Sequence, residues 1–127
     1  MGGIINISKL KVPPEKHELE TARYFADLGY DIEFIPPNHT PQMHTPDIVM
    51  DGITWEIKSP TVRSRRTIEN NLRQAMMQSD NIIFDMRRIH MSDNDCIVEL
   101  EHRFNQKKAI RRLWIIKKNL ELVKFSR

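Results

Sequence analysis

Hydrophobic and polar positions follow a helical period in some segments of the chain and a strand period in others. The first half of the chain predicts a helix, a strand and a hairpin. Residues 15–29, EKHELETARYFADLG, carry apolar side chains at helical spacing behind a proline pair, and Gly29 ends the predicted helix. Residues 30–35 read as a strand, and prolines break residues 36–46 into a loop. Residues 46–60, PDIVMDGITWEIKSP, predict a β-hairpin.

The second half of the chain predicts two helices and three strands. A polar loop over residues 59–66 precedes a helical pattern over residues 67–80, and NIIFDMRRI, residues 81–89, has the composition of a buried strand. Helix-capping residues open a third helix over residues 92–108, and residues 110–127 read as two closing strands. The order α-β-β-β-α-β-α-β-β indicates a mixed sheet with helices, in the α/β or α+β class.

The predicted hairpin turns at Asp51-Gly52, and its register follows by counting outward from that turn. An Asp-Gly pair between β-rich runs is a strong hairpin signal. The counted pairs are Met50 with Ile53, Val49 with Thr54 and Ile48 with Trp55. Asp47 then faces Glu56, with Cβ atoms roughly 5 Å apart. Like charges in such a pair are destabilising, so the arrangement needs a compensating partner.

Side chains alternate across a strand, which puts Asp47, Glu56 and Lys58 on one face of the hairpin. The opposite face carries Ile48, Trp55 and Ile57. This apolar second face indicates a strand that is partly buried on both sides. Facing carboxylates in such a place must be neutralised by protonation, by Lys58 or by a divalent cation. Of these three means of neutralisation, the divalent cation is the one that binds both carboxylates.

A third acid lies on the core-facing side of the first predicted helix. On a projection at about 100° per residue, Glu18 falls on the apolar stripe that contains Leu19 and Ala22, and Glu20 falls on the solvent side. An acid that faces the core needs a partner. Either a nearby Arg or Lys pairs with Glu18, or Glu18 contributes to the same cation site as the hairpin.

Length and composition limit the class of protein. The chain has 127 residues, enough for one domain over residues 1–127, and its content of 39% hydrophobic and 29% charged residues is typical of a soluble globular protein. No apolar run approaches the roughly 18 residues of a membrane span, and the first residues lack a signal-peptide pattern. Cys96 is the single cysteine, so we interpret it as a packed small hydrophobe rather than a disulfide partner.

The net charge of +3 hides an asymmetry between the two halves of the chain. Residues 1–60 carry 5 basic and 9 acidic side chains, and residues 61–127 carry 15 and 8. This distribution suits either a polyanion that lies across the basic half with its reacting group near the carboxylates, or a merely solvated basic surface. The candidate nucleic-acid-binding residues are Arg63, Arg65, Arg66, Arg73, Arg111, Arg112, Lys117 and Lys118.

The acidic hairpin resembles the core motif of the PD-(D/E)xK nuclease superfamily. The motif residues are Pro46, Asp47, Glu56, Ile57 and Lys58. A helix with Glu18 precedes them, and a helix that ends at Gln78 follows. More narrowly, HTPDIVMDGITWEIKSP, LRQAMMQSDNIIFDMRR and the basic strand pair resemble the C-terminal tRNase domains of CdiA-type contact-dependent growth inhibition toxins. That resemblance covers roughly residues 15–125.

The resemblance implies a role for each motif residue. Asp47 and Glu56 would be metal ligands, and Glu18 would bind the metal directly or through water. Lys58 would orient or activate the attacking water and stabilise charge on the phosphate. Gln78 would support or position the substrate. The implied cofactor is a divalent metal, with Mg²⁺ first and Mn²⁺ or Zn²⁺ as alternatives.

Two further residues near the motif are candidates for contact with a substrate. His44 lies in the loop before Asp47, where it could act as an acid or base in a metal-independent RNase. Ser59 follows the motif directly. Solvated loop side chains are the alternative interpretation of both. We interpret the histidines elsewhere, His17, His90 and His102, as structural.

The resemblance implies a metal-dependent ribonuclease that cleaves tRNA in the cytoplasm of a target bacterial cell. It further implies release from a larger delivered protein, a monomeric state when free, and neutralisation by a cognate immunity protein. Two alternatives stay open. A DNA endonuclease of the same superfamily would use the same residues on another polymer. A non-catalytic, basic nucleic-acid-binding module would use Lys58 only to pair with Asp47 and Glu56.

Overall fold

The computed structural model describes residues 2–37, 45–61 and 63–127, and within them the backbone forms a seven-stranded mixed sheet and three helices. The strands are β1 (Ile5–Asn6), β2 (Ile32–Phe34), β3 (Ile48–Met50), β4 (Ile53–Lys58), β5 (Asn81–Asp85), β6 (Arg112–Ile116) and β7 (Leu122–Ser126). The helices are α1 (Lys16–Asp27), α2 (Arg65–Met76) and α3 (Asp93–Gln106). The predicted fold class and the order of the nine predicted elements are confirmed.

β1 is an additional strand that the sequence did not predict. It has only two residues and pairs in parallel with β2, so no local period marks it. The segment before it packs backbone against backbone, since the N–H of Gly3 donates to the Ala26 carbonyl at 2.6 Å. A Cβ on Gly3 would lie 1.8 Å from the carbonyl oxygen of Tyr30, so only glycine fits there.

The hairpin forms with the register counted from its turn. Asp51 and Gly52 both have left-handed backbone angles, with φ of 56° and 74°, as a type I′ turn requires. The pairs between β3 and β4 are Ile48 with Trp55, Val49 with Thr54 and Met50 with Ile53. This agreement follows because a two-residue turn leaves no freedom in the register of its flanking strands.

Three parallel crossovers give all the helices one orientation relative to the sheet. α1 joins β1 to β2, α2 joins β4 to β5, and α3 joins β5 to β6, and each of these strand pairs is parallel. β3 runs antiparallel to both of its neighbours, β2 and β4. The other strands named here, β1, β2, β4, β5 and β6, therefore all point the same way. The amino termini of the three helices therefore lie at the carboxyl ends of these strands, a region that we call the carboxyl end of the sheet.

Helices cover both faces of the sheet. On one face, α1 packs its buried Ala22 and Phe25 against Trp55. On the other face, α2 and α3 enclose a second apolar cluster that includes Phe84 of β5. Trp55 is fully buried, as its position on the apolar side of the hairpin predicted. None of the helices in the described ranges is both long and apolar enough to cross a membrane.

The largest differences from the predicted boundaries are in α2 and β5. α2 begins at Arg65 because the Ser64 hydroxyl accepts a hydrogen bond from the Arg66 N–H at 3.2 Å and caps the helix. The same helix ends at Met76, so Gln78 lies beyond it. β5 ends at Asp85, four residues before the predicted boundary, because the ladder with β6 ends there.

Candidate active site

A cleft of about 300 Å³ opens at the carboxyl end of the sheet and brings most of the predicted site residues together. The predicted residues that line it are Glu18, Asp47, Glu56, Lys58 and Ser59. Glu18 comes from the first turn of α1, Asp47 directly precedes β3, and the other three come from the end of β4 and the residue after it. Residues that are far apart in sequence thus meet where helix amino termini and strand carboxyl ends converge.

Asp47 is fixed by two hydrogen bonds to the neighbouring strand. Its N–H donates to the Trp55 carbonyl at 2.9 Å, and its Oδ2 accepts from the Ile57 N–H at 2.8 Å. The backbone bond is one residue displaced from the counted register, in which Asp47 stood opposite Glu56. This local departure of the ladder resembles a bulge, and such departures often re-aim a side chain beside an active site.

Glu56 is the most deeply buried acid of the cleft, with 6% of its surface exposed. Its Oε2 lies 3.5 Å from the Lys58 Nζ. Its Oε1 is buried and has no hydrogen-bond partner among the described residues. A buried carboxylate oxygen without a donor is costly, so this oxygen indicates a missing cationic or proton-bearing partner.

Glu18 caps its own helix and also joins the cleft. Its Oε1 accepts a hydrogen bond from the Glu15 N–H at 3.2 Å. Its carboxyl group is half-buried beside Asp47, while Glu20 on the other side of α1 is exposed, as predicted. Within the described residues, Glu18 forms no salt bridge with an Arg or Lys. Its carboxyl group instead lies beside the other acids of the cleft.

Burial and mutual repulsion shift the protonation of all three acids. Burial raises the pKa of Glu18 to about 7, and the charge of Asp47 adds to the rise. Burial also raises the pKa of Asp47 to about 7, with the charge of Glu56 as the next cause. Burial raises the pKa of Glu56, although hydrogen bonding to Asp47 and the charge of Lys58 oppose this rise. At neutral pH the cleft therefore holds protons that a cation could displace.

A buried network that the sequence analysis missed holds α1 against the sheet. Asp85 at the end of β5 is 2% exposed, and its Oδ2 accepts from the Thr21 hydroxyl at 2.6 Å and from the Arg87 Nη2 at 2.7 Å. The same Nη2 donates to the Glu20 carbonyl at 3.1 Å. In the sequence, Asp85 ends an apolar run and Arg87 follows two residues later, but no local pattern links either residue to α1. The network fixes the helix that presents Glu18.

Asn71 and His17 also line the cleft, and the sequence analysis assigned neither to the site. Asn71 projects from α2, where its Nδ2 donates to the Thr67 carbonyl at 2.8 Å. It shares the buried side of α2 with Ile68 and Leu72, so the projection that selected Glu18 would also have selected Asn71. His17, which the sequence analysis interpreted as structural, lies 3.4 Å from Glu15 and lines the same cleft.

Gln78 does not line this cleft. It follows the carboxyl terminus of α2, and its N–H donates to the Ala75 carbonyl at 2.9 Å. Because α2 runs back along the sheet, its carboxyl terminus lies at the amino end, away from Asp47 and Glu56. The polar side chain that α2 brings to the cleft is Asn71 instead, about two helical turns before the predicted residue.

The candidate basic residues divide between the two ends of the sheet. Arg63, Arg65 and Arg66 lead into and begin α2, and Lys117 and Lys118 follow β6, so these five lie at the carboxyl end with the cleft. Arg73, Arg111 and Arg112 lie toward the other end, in the last turn of α2 and at the start of β6. Arg73 pairs with Glu69 at 3.0 Å, and Arg112 donates to Asn81 at 3.1 Å.

Two other candidates have different outcomes. His44 lies outside the described residues. Ser59 lines the cleft, and its buried hydroxyl oxygen has no hydrogen-bond partner among the described residues.

Cys96 is fully buried in the apolar cluster, and burial raises the pKa of its thiol to about 12. The interpretation of Cys96 as a packed hydrophobe fits this placement.

The donors of the cleft suit a hard divalent cation. Within the described residues, no three His, Cys, Asp or Glu side chains are already arranged as a metal-binding group. Asp47 and Glu56 nevertheless offer carboxylate oxygens from adjacent strands, and the unpartnered Oε1 of Glu56 lies among them. Oxygen ligands of this kind are those that Mg²⁺ and Mn²⁺ prefer.

Comparison with known proteins supplies the family. A family model described as "Contact-dependent growth inhibition CdiA C-terminal domain" matches residues 44–122, which is more than half of the chain. The chain belongs to this family. The resemblance to CdiA C-terminal toxin domains is thereby confirmed, and the chain is a CdiA-CT toxin domain of contact-dependent growth inhibition.

A solved structure extends the fold comparison over almost the whole chain. It is described as "CdiA-CT/CdiI toxin and immunity complex from Burkholderia pseudomallei", and the similarity has a TM-score of 0.72 at 18% sequence identity. The match covers 98% of this chain and 100% of that chain. At this identity the similarity shows a common fold. A search of curated proteins found no match.

Proposed function

We propose that this CdiA-CT toxin domain is a divalent-metal-dependent nuclease that cleaves tRNA in the cytoplasm of a target bacterial cell. The observation that carries the proposal is the buried, unpartnered Oε1 of Glu56 beside Asp47, within hydrogen-bonding reach of no described donor. An acidic pair that is costly when empty becomes favourable once a cation binds it. The PD-(D/E)xK order of these residues on a turn-linked strand pair supports the same chemistry.

Asp47 and Glu56 would hold the cation, with the Ile57 carbonyl and Glu18 as further oxygen donors. When bound, such a cation neutralises charge on the scissile phosphate and supplies an activated water. The hydrogen bond from the Ile57 N–H occupies Oδ2 of Asp47 and orients its carboxylate. The all-oxygen donor set favours Mg²⁺ or Mn²⁺ over Zn²⁺, which prefers nitrogen and sulfur ligands.

Lys58 and Asn71 would act on the substrate from either side of the acids. Lys58 reaches the cleft from the end of β4, where its ammonium group would donate to phosphate oxygens as negative charge develops. Asn71 is held by its bond to the Thr67 carbonyl and would position the same phosphate from α2. The amino termini of α1, α2 and α3 add positive potential at this end of the sheet.

The substrate is proposed from charge and from family resemblance. Arg63, Arg65 and Arg66 lie at the same end of the sheet as the cleft, and Lys117 and Lys118 follow β6 at that end, two strands away from β4. These positive side chains suit a polyanion that spans the cleft. The C-terminal tRNase domains that the sequence resembles favour tRNA as that polyanion. DNA would satisfy the same charges, so both polymers belong in the test.

We further propose a cognate immunity protein as the neutralising partner. The solved structure of similar fold is described as a complex of a toxin with an immunity protein. A toxin domain that acts on nucleic acid would endanger the cell that makes it, so an inhibitor that covers the cleft or its basic surroundings is expected. Inhibition of cleavage by the co-produced partner would support this part of the proposal, and undiminished cleavage in its presence would contradict it.

Cleavage of nucleic acid by the purified domain tests the proposed function. Total bacterial tRNA and double-stranded DNA are incubated with the protein in Mg²⁺ or in EDTA, alongside Asp47→Ala and Lys58→Ala. Glu101→Ala and Lys108→Ala remove the same charges from exposed sites elsewhere and serve as controls. We expect Mg²⁺-dependent cleavage of tRNA that only the first pair of variants lose. Cleavage of DNA alone would show that the substrate is DNA rather than tRNA. If both polymers stay intact under all conditions, the nuclease proposal is overturned.

A further inference from the structure

A second cavity adjoins the cleft on the α1 side of the acids. It has a volume of about 430 Å³ and shares Glu15, Glu18 and Asp47 with the cleft. Its volume lies within the roughly 300–1,000 Å³ that is typical of small-ligand pockets. Nothing in the proposed metal chemistry uses this space, although a molecule in it would contact the same carboxylates.

Much of the cavity lining is apolar. It includes Pro13 and Pro14 before α1, Pro36 and Pro37 after β2, and Phe34 of β2. The fixed backbone angle of each proline limits the conformational freedom of its own segment. A planar, apolar group that packs against these segments would therefore lose little free energy to their ordering.

Two lysines of the segment between β1 and α1 line the same cavity. Lys9 lies 2.9 Å from Glu33, which holds its ammonium group in place, and Lys11 is exposed to solvent. Because Glu33 neutralises Lys9, the positive charge that the lining offers to a phosphate is that of Lys11. Apolar surface beside such a charge suits a ligand that combines a flat apolar part with a phosphate. A nucleotide has this combination of groups.

We propose that the cavity binds the base or ribose of the unpaired nucleotide next to the scissile phosphate. This inference rests on the proposed function and specifies its substrate class as RNA that is single-stranded at the cut. The cavity and the cleft meet at Asp47 and Glu18, so a strand with its phosphate at the acids would place the adjoining nucleoside in the cavity. A base within a duplex is stacked and paired, and could enter only after unpairing.

A binding measurement in EDTA tests the cavity without cleavage. Fluorescence anisotropy compares a short labelled oligoribonucleotide as a single strand and as a duplex. Val12 lines the cavity and is 75% exposed, so Val12→Glu places a charge there without disturbing the core. The control is Ile4→Glu, because Ile4 is 69% exposed, also β-branched, and outside the cavity at the other end of the sheet.

We expect the wild-type domain to bind the single strand more tightly than the duplex. Val12→Glu should weaken single-strand binding roughly tenfold and leave duplex binding unchanged. Ile4→Glu should leave both unchanged. Equal binding of the two forms by the wild-type domain, or equal losses in the two variants, would overturn the proposal.

Mapping the cut positions separates this inference from the proposed function. Cuts beside unpaired nucleotides that Val12→Glu slows and Ile4→Glu does not would support both. Cuts within base-paired segments, made equally well by Val12→Glu, would overturn the cavity proposal and leave the nuclease intact. Failure to cut any polymer would overturn the nuclease and, with it, the placement of a nucleoside beside a scissile phosphate.

Discussion

Three carboxyl groups crowd one poorly solvated cleft, and their crowding decides the behaviour of the site at the scale of single residues. Glu18, Asp47 and Glu56 each lose hydration, and each acts on the protonation of its neighbours. Such an arrangement weakens the folded state and is maintained in proteins where function needs it. Stability and cation binding should therefore respond in opposite directions when one charge is removed.

Asp47→Asn should stabilise the metal-free protein and abolish cation binding. The amide can still accept the hydrogen bond from the Ile57 N–H, while the repulsion from Glu56 disappears. We expect a gain of about 1 kcal/mol in the free energy of unfolding, measured by urea denaturation in EDTA above neutral pH. Asp51→Asn, in the exposed turn of the same hairpin, is the control. A loss of stability in Asp47→Asn beyond that of the control would contradict the repulsion.

The metal-free protein should become less stable as the pH rises. The folded-state pKa values of Glu18 and Asp47 are about 7, above the unfolded values near 4, so the folded state binds more protons between these limits. This contribution is fully present below about pH 4 and is lost as the pH passes about 7. Thermal unfolding in EDTA across this range should show the fall. The melting temperature of the wild-type protein is compared with that of Asp47→Asn at each pH. A wild-type melting temperature that rises relative to the variant between about pH 4 and pH 7 would contradict the raised pKa values of Glu18 and Asp47.

At the scale of elements, the hairpin and α1 bring the acids together in different ways. The two-residue turn fixes the hairpin locally, which is why its register could be counted from the sequence. The position of α1 depends instead on Asp85 and Arg87, which are more than sixty residues away from Thr21. No local period encodes such a long-range network. The sequence could therefore predict the hairpin, and could not predict what orients Glu18.

Arg87→Ala should destabilise the protein strongly. It removes the guanidinium partner of Asp85, and the almost wholly buried carboxyl group would be left without its main hydrogen-bond donor. We expect a loss of about 3 kcal/mol in the free energy of unfolding by chemical denaturation. The adjacent, exposed Arg88 provides a matched variant, Arg88→Ala, that should change this free energy by about 0.5 kcal/mol or less. Equal effects of the two substitutions would show that the network does not hold α1.

For the whole molecule, strand direction separates the basic residues that composition had grouped together. A count of charges along the chain could not distinguish Arg65 from Arg111, because the end of the sheet at which each lies depends on the parallel crossovers. The same topology puts Gln78, which the family resemblance had assigned to the site, at the end of the sheet away from the acids. Asn71, by contrast, was available from helical periodicity and was overlooked.

Removal of two charges from the carboxyl end should weaken nucleic-acid binding, whereas removal of two from the other end should not. Arg65→Ala with Arg66→Ala is compared with Lys108→Ala with Arg111→Ala, and both double variants have the same net charge. Binding of tRNA in EDTA is measured across salt concentrations. The first double variant should reduce the slope of log affinity against log salt by roughly 1.5, since two phosphate contacts are lost. Equal slopes in the two double variants would contradict a directional basic surface.

Thermal unfolding with and without Mg²⁺ is the most direct test of the cation site on which the proposed chemistry depends. A cation that binds only the folded protein raises its stability by about 2.7 kcal/mol at a hundredfold excess over the dissociation constant. Above neutral pH, wild-type protein and the exposed-site control Glu101→Gln should both melt at a higher temperature in Mg²⁺ than in EDTA, and Glu56→Gln should show no such difference. A wild-type melting temperature that is the same in Mg²⁺, in Mn²⁺ and in EDTA would contradict a cation site formed by Asp47 and Glu56. An equal rise in the melting temperatures of the wild-type protein and Glu56→Gln would contradict it as well.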